Sequence, residues 1–300
     1  MRGTRREGTP VSAQDRAGDG HRSTPRAAVR SSAAPALAAW IEGIGCLGPG
    51  FDDWNGARAI LRGEVPYESR PTQLPAPAAL PASERRRASR SIKVALATGF
   101  AAIEMSGHDA SALPTVFTAS AGDGQNCHEL CQQLSGADRQ ISPTRFHNSV
   151  HNAPAGYWGI AAGAMATSTV LCGHDASFGA GLLEALVQVT AEQRPVVLIA
   201  YDTDYPEPLR ATRPVPDAIG VALVLAPESS ARALARIAIR LTGEPAETMP
   251  VAGLEALRRA APVGRALPLL AALAAGGPRS VTIDYLETLR LAIDVAPARR

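Results

Sequence analysis

An α/β fold is the architecture these 300 residues predict, and three observations lead to it. Short apolar runs rich in β-branched residues recur along the chain: TVFTA (115–119), STVLC (168–172), PVVLIAY (195–201) and IGVALVL (219–225). Their length and their polar flanks are those of strands. Longer segments with helical spacing separate them, most clearly Ser83 to Met105, where Ile92, Leu96, Phe100 and Ile103 form one stripe. The hydrophobic content of 46% suffices for a packed core, and with aromatics at 4% that core is mostly Ala, Leu, Val and Ile.

Lys+Arg 30 against Asp+Glu 28 is near balance, so no global field argues for nucleic acid or membrane. Four irregularly spaced cysteines give no disulfide framework and fit a reducing cytoplasm. No apolar run approaches the roughly 18 residues of a membrane span, and no signal peptide is visible.

Residues 1–34 are polar, rich in Arg, Ser, Gly and Pro, and lack apolar periodicity, which predicts a disordered N-terminal extension. A basic arm for a partner or nucleic acid is its functional reading; an unselected extension or a misplaced start codon is the simpler one. Ala36 to Gly50 predicts a short strand and a glycine-rich turn. Its Gly43-x-Gly45-x-x-Gly48 matches a dinucleotide fingerprint, but Pro49, Gly50 and the Asp52-Asp53 pair break the context that fingerprint needs. Phe51 to Gly63 predicts a helix with Asp52 and Asp53 suited to its first turn. Pro66 to Ala82 is a proline-rich surface connection. The helix expected from Ser83 to Met105 carries Arg85, Arg86, Arg87, Arg90 and Lys93 towards its N-terminal end. Positive charge there opposes the helix dipole and wants an anionic neighbour; a solvated face with local ion pairs accounts for it equally well.

TVFTA predicts a strand running into the turn at Ser120 to Gly124 and a helix to about Leu134. Cys127 and Cys131 lie one turn apart on that helix, and His147 and His151 repeat the spacing, giving C-x3-C-x15-H-x3-H. This approaches zinc-finger spacing. A finger places its cysteines on a hairpin, whereas NCHELCQQL reads as helix, and SGADRQISPTRF lacks a finger's apolar core. The expectation is no metal: two buried thiols and two hydrogen-bonded imidazoles.

Ser142 to Ala185 is the stretch that carries chemistry. It reads as a loop, a helix from Pro154 to about Met165, a buried strand at Ser168 to Cys172, a tight elbow at His174-Asp175-Ala176-Ser177, and a helix from Gly179 to Glu192. Pro154 suits a first helical turn, and Gly179-Ala180-Gly181 lets the last helix start against neighbouring backbone. Such elbows present one side chain at a site mouth, with helix N–H groups aimed at whatever binds. Asp175-x-Ser177-x-Gly179 falls one residue short of the hydrolase pattern G-x-S-x-G, whose triad runs serine, acid, histidine. All six histidines precede Ser177, so that order fails. Ser177 is expected to cap the following helix, and Cys172 to be a small core residue.

Ser142-Pro143, Asn152, Ala155-Gly156 and Gly163, with the strand and elbow after them, resemble the central segment of β-ketoacyl-acyl-carrier-protein synthases, members of the thiolase fold. FTASAGDGQNCHEL and SPTRFHNSVHNAPAGYW are more specifically similar to the ketosynthase-like chain length factors of bacterial aryl-polyene (type II fatty-acid-like) clusters. The resemblance runs from about Trp40 to about Leu241, with a weaker tail. It implies a thiolase-like (ketosynthase) half-fold, layered α/β/α around a mixed sheet, with a truncated C-terminal half. Residues 35–241 would be the synthase N-terminal-type domain and residues 242–300 a reduced remnant packed on it. Ketosynthases carry a nucleophilic cysteine at this elbow. Counted without gaps from Ser142-Pro143, that position falls on Asp175, and a gapped fit moves it as far as Gly179; no cysteine lies in that window. The last histidine is His174, so nothing downstream supplies the family's two catalytic imidazoles.

The resemblance thus implies a non-catalytic subunit without a cofactor of its own, paired in the cytoplasm with an active synthase. In the family the strand before the elbow pairs across a two-fold axis, which assigns Ser168, Val170 and Cys172 to a partner strand. His151, Asn152, Tyr157 and Phe178 would line the acyl tunnel, with Tyr157 and Phe178 limiting chain length by steric blockage. The acyl chain would arrive on the 4'-phosphopantetheine of an acidic carrier protein, for which Arg85, Arg86, Arg87 and Arg90 form a docking patch. Two other readings stand beside this one. One is a residual malonyl carrier-protein decarboxylase or priming enzyme using Asp175, with Asn152 or His151 as hydrogen-bond donors; the other is a carrier-protein scaffold.

After the elbow, PVVLIAY suits a central sheet position, Asp202 to Pro216 is a loop, and IGVALVL is the next strand. Arg213-Pro214-x-x-Asp217 resembles a shortened ketosynthase segment. Leu234 to Leu241 alternates as a strand, Leu254 to Ala275 predicts helix broken at Pro262 and Pro268, and Arg279 to Val295 suits strand or helix. With the second half reduced, one sheet face is expected to be open.

Overall fold

The chain is described over residues 37–298 in a computed structural model; the disorder expected for residues 1–34 lies outside that range. β1 (Leu37–Leu47) is followed by α1 (Trp54–Leu61), α2 (Ala82–Arg87) and α3 (Arg90–Ser106). β2 (Thr115–Thr118), α4 (Gly124–Ser135), α5 (Pro143–His147), α6 (Ala153–Ala162) and β3 (Ser168–Leu171) lead to the elbow. α7 (Ser177–Glu192), β4 (Val196–Asp202), α8 (Leu209–Thr212) and β5 (Ile219–Ala226) leave it. β6 (Ala235–Thr242), α9 (Ala252–Ala260), α10 (Leu267–Ala275), β7 (Arg279–Asp284) and β8 (Arg290–Pro297) follow.

The strands form one mixed sheet in the order β3-β2-β4-β5-β1-β6-β8-β7. β2 pairs parallel with β3 and β4, and the remaining pairings are antiparallel. β1 pairs with both β5 and β6, so it joins the parallel end to the C-terminal strands. It is also where the glycines matter. A Cβ on Gly43 would stand 2.1 Å from the Ala102 carbonyl oxygen, and one on Gly45 1.9 Å from that of Thr98. The fingerprint-like glycines are therefore a seam where α3 backbone rests directly on a strand.

Helices cover the sheet on both sides, as the layered α/β/α expectation requires. On one face α1, α7 and α10, with a 3-10 turn at Pro262–Ala266, enclose Phe178, Leu182, Leu186, Leu198, Leu270 and Ile293. On the other, α3 and α6 pack over β2, β4 and β5 through Ile92, Leu96, Phe117, Tyr157, Trp158 and Ile199. Trp158 stacks on Phe100 at 4.5 Å and meets Phe117 edge-on at 6.2 Å, which fixes α6 against α3. The C-terminal strands turn Arg236, Arg240, Ser280 and Asp294 to solvent, so the open sheet face is confined to β6, β8 and β7.

Several expectations need correcting. The helix expected over Ser83 to Met105 is two helices, because buried Ala88 and the N-cap residue Ser89 take extended backbone and turn a corner. The helix expected to reach Met165 stops at Ala162, where Gly163 adopts a left-handed cap (φ 63°). Pro268 lies in the first turn of α10 and breaks nothing. Arg279 to Val295 is a hairpin. Residues 242–298 continue the same unit: β7 and β8 extend the common sheet, α10 shares the α7 core, and all described residues fall in one compact unit.

Candidate functional site

The elbow is built where β3 ends and α7 begins, and the residue that turns the chain is His174, with φ of 51° in the left-handed region. A 3-10 turn over His174–Ala176 follows. Ser177 locks this turn to the end of β2. Its hydroxyl accepts from the Gly173 N–H (3.0 Å) and lies 2.7 Å from the His174 carbonyl and 3.0 Å from that of Ala119. Ala176, not Ser177, occupies the N-cap position of α7. The correction has a plain cause: the preceding 3-10 turn already takes the Ser177 N–H, which leaves its fully buried hydroxyl to bridge neighbouring backbone.

Asp175 is held from two sides. Arg213 Nη2 donates to its Oδ1 at 2.7 Å, and Arg265 donates from Nη2 to Oδ2 at 3.1 Å and from Nη1 to the Asp175 carbonyl at 2.7 Å. Arg213 Nη1 lies 2.9 Å from His174 Nε2, which suits an imidazole carrying its proton on Nδ1. Partial burial works to raise the Asp175 carboxyl. The Arg213 hydrogen bond and the charges of Arg265 and Arg213 outweigh it and hold the carboxyl below its ordinary range. At the end of β4, Asp202 is fully enclosed and accepts from the Ser120 and Val263 N–H groups, each at 2.9 Å. Burial pushes this second carboxyl up despite those bonds. The corner therefore holds a committed ion pair, a buried acid and a buried hydroxyl.

β3 is the edge of the sheet, and its residues are half-exposed or exposed rather than buried. Thr115 N–H donates to the Thr167 carbonyl and Ala119 N–H to that of Leu171. Because alternate residues of a strand face the same neighbour, Ser168 and Val170 turn their N–H groups away from β2. Cys172 lies just beyond the strand and is exposed, with its thiol donating to the Ser120 carbonyl at 3.0 Å. It is not a core residue, because an edge strand has no neighbour to cover its far side.

The four tunnel candidates separate. Tyr157 and Phe178 are each 1% exposed, Tyr157 in the core on the α3 face and Phe178 in the core on the α7 face. The Tyr157 hydroxyl donates to Asn148 Oδ1 at 3.2 Å. Asn152 takes the N-cap of α6 without a side-chain cap bond, and neighbouring His151 is half-buried. Its Nε2 has no hydrogen-bond partner, contrary to the expected paired imidazole, and burial pulls its pKa down.

The arginine patch is exposed and carries its own counter-ions. Arg87 pairs with Glu84 at 3.2 Å, Arg90 pairs with Asp217 and with Asp204 (3.4 Å), and Arg85 donates to the Leu80 carbonyl at 3.0 Å. Arg86 has no carboxylate partner among the described residues. The pairing of Arg90 with Asp204 and Asp217 could not be read from the sequence, since no local spacing links them to α3. A cleft of about 600 Å³ opens here, lined by Arg86, Arg87, Arg90, Asp123, Arg145 and Asp204 among others. Cys127 and Cys131 are exposed rather than buried, because α4 buries only Gly124 and Asn126. Among the described residues no group of three or more His, Cys, Asp or Glu side chains is placed to hold a metal ion, and no helix is long and apolar enough to cross a membrane.

Comparison with solved structures places this arrangement in the thiolase-like ketosynthase fold. A chain of the ketosynthase (ApeO) in complex with its chain length factor (ApeC) from Xenorhabdus doucetiae is 22% identical, with TM-score 0.66 over 86% of this chain and 99% of that one. A chain of the ishigamide ketosynthase/chain length factor is 13% identical, with TM-score 0.66 over 87% and 100%. A chain of AntDE:AntF, a type II polyketide acyl-carrier protein in complex with its ketosynthase bound to the hexaketide, is 10% identical, with TM-score 0.68 over 88% and 100%. No curated protein matches by sequence. Residues 61–278 match the β-ketoacyl synthase N-terminal domain, and the chain belongs to that family. The match runs through α10 and past the boundary at residue 241 that the sequence suggested.

Proposed function

We propose that this chain is a chain length factor: a subunit that pairs with a cysteine-bearing β-ketoacyl carrier-protein synthase and shapes the tunnel in which the partner's acyl chain grows. The pathway is of the aryl-polyene, type II fatty-acid or polyketide kind, in the cytoplasm, with intermediates carried on the 4'-phosphopantetheine of an acyl carrier protein and no cofactor on this chain. The observation that carries the reading is the half-exposed edge strand β3, with outward N–H groups at Ser168 and Val170, leading into an elbow without cysteine. An apolar edge of this kind favours strand addition by a second chain.

Co-expression with a complete ketosynthase tests it. A one-to-one complex is expected. Val170→Pro removes an N–H that no bond among the described residues uses, so it should abolish pairing while leaving the fold intact by circular dichroism. A chain that stays alone beside every synthase tried, or a Val170→Pro variant that pairs as before, would refute the proposal. Decarboxylation by Asp175 is disfavoured because both its oxygens are engaged by guanidinium groups. The isolated chain is expected to release no carbon dioxide from malonyl carrier protein; release that disappears in Asp175→Asn would establish that reading instead. For carrier docking, Arg86 offers a charge without a carboxylate partner among the described residues, and Arg86→Glu should weaken association at low salt and matter little at high salt.

A further inference from the structure

α4 is weakly anchored, with only Gly124 and Asn126 of its 12 residues buried. Cys127 and Cys131 stand on its exposed side, four residues apart and so on one face, where β-carbons are roughly 5–6 Å apart. At positions i and i+4 of one helix their side chains are neighbours on that face. A disulfide needs β-carbons about 3.8 Å apart, so oxidation would have to distort the helix. Shared ligation needs no such movement: two sulfurs about 2.3 Å from one tetrahedral cation stand roughly 3.8 Å from each other. Helical side chains turned toward one another reach that separation.

Two further features bear on what such a pair would hold. Burial and the neighbouring Cys131 raise the Cys127 thiol above its ordinary value, so a cation must compete with its proton at neutral pH. Only a cation with strong affinity for sulfur displaces them. His147 and His151 do not complete the set, since no group of three or more potential ligands converges among the described residues. The other coordination positions are therefore left to water or an external thiol.

We infer that Cys127 and Cys131 form a two-thiolate binding site for a soft, thiophilic divalent cation on the outer face of α4. Binding breaks two S–H bonds, forms two metal–sulfur bonds and releases two protons to solvent, so the local charge does not change. Bridging one helical turn also ties down a helix that the core holds at few points.

Cadmium is the probe. The full chain is titrated with Cd2+ while the thiolate-to-metal charge-transfer absorption is followed, released protons are counted in weak buffer, and thiols protected from maleimide are mapped. One ion per chain is expected, with two protons released and Cys127 and Cys131 protected together. Cys127→Ser or Cys131→Ser should weaken binding about 100-fold, because the second sulfur acts through effective concentration. Cys172→Ser, which removes the other exposed thiol, should change nothing. Serine at exposed helical positions leaves the fold intact, so circular dichroism separates lost binding from lost structure. Affinity that survives both single substitutions, or that vanishes in Cys172→Ser, overturns the site.

Discussion

Asp175 and Asp202 sit at the ends of neighbouring elements and are driven in opposite directions, Asp175 by two guanidinium groups and Asp202 by burial. The sign follows for each. Asp175 is depressed, so its pairing contributes stability above the unfolded carboxyl value of about 3.9 and loses it as pH falls through the folded value. The carboxylate is 45% exposed, which limits the gain. Urea melts of Asp175→Asn should show a deficit of about 1–2 kcal/mol at neutral pH that closes below about pH 4. A deficit of constant size across that range would mean that the ion pair is not its cause. Burial opposes a charge on Asp202, yet Asp202→Asn should still cost about 1–3 kcal/mol, because the amide would turn a donor toward the Ser120 or Val263 N–H. Counting along the chain finds Asp175 at the elbow. It does not find Arg213 and Arg265, which lie 38 and 90 residues away with no periodic relation to it.

Elements were legible where composition and surroundings agree. β4 and β5 are continuous apolar runs and lie buried in the middle of the sheet. The β7–β8 hairpin was not legible, because Leu286 N–H bonds the Leu289 carbonyl across a turn without Gly, Pro or Asn. The corner between α2 and α3 did leave a signal in Ser89, an N-cap residue type ahead of the apolar stripe, but the arginines around it read as one charged helix. Gly45 tests the α3–β1 seam at this scale. A methyl there would overlap the Thr98 carbonyl, which is backbone and cannot swing aside. Gly45→Ala should lose about 3 kcal/mol or more, seen as a large fall in melting temperature or as insoluble expression. A variant that melts with the wild type would show that α3 sits further from β1 than the 1.9 Å clash requires.

For the whole molecule, the strand that reads as buried is an exposed edge, and that mismatch is itself informative. STVLC has the composition of a covered strand, but the described residues cover only one side of it. Apolar side chains continue around it: Ile160 and Met165, just before β3, are 49% and 96% exposed, and Val187 sits beside Gln188, whose amide reaches Thr169 of β3. A lone chain has no use for methionine standing almost free in water, whereas a partner sheet docked on β3 would cover these groups. Tyr157 and Phe178 serve this chain's own core, so under the proposed function the groups that would meet a partner's acyl chain come from this outward set or from side chains that move on assembly. Ile160→Glu with Met165→Glu should weaken binding to the ketosynthase about 100-fold, roughly tenfold for each apolar side chain taken out of the interface. The isolated double variant should melt with the wild type, since neither side chain belongs to the buried core. Calorimetric titration against the purified synthase, with sedimentation of each chain alone, separates these outcomes. Unchanged affinity would move the docking surface off this end of the sheet. A variant that also unfolds would make Ile160 and Met165 part of this chain's own packing rather than a surface held ready for another.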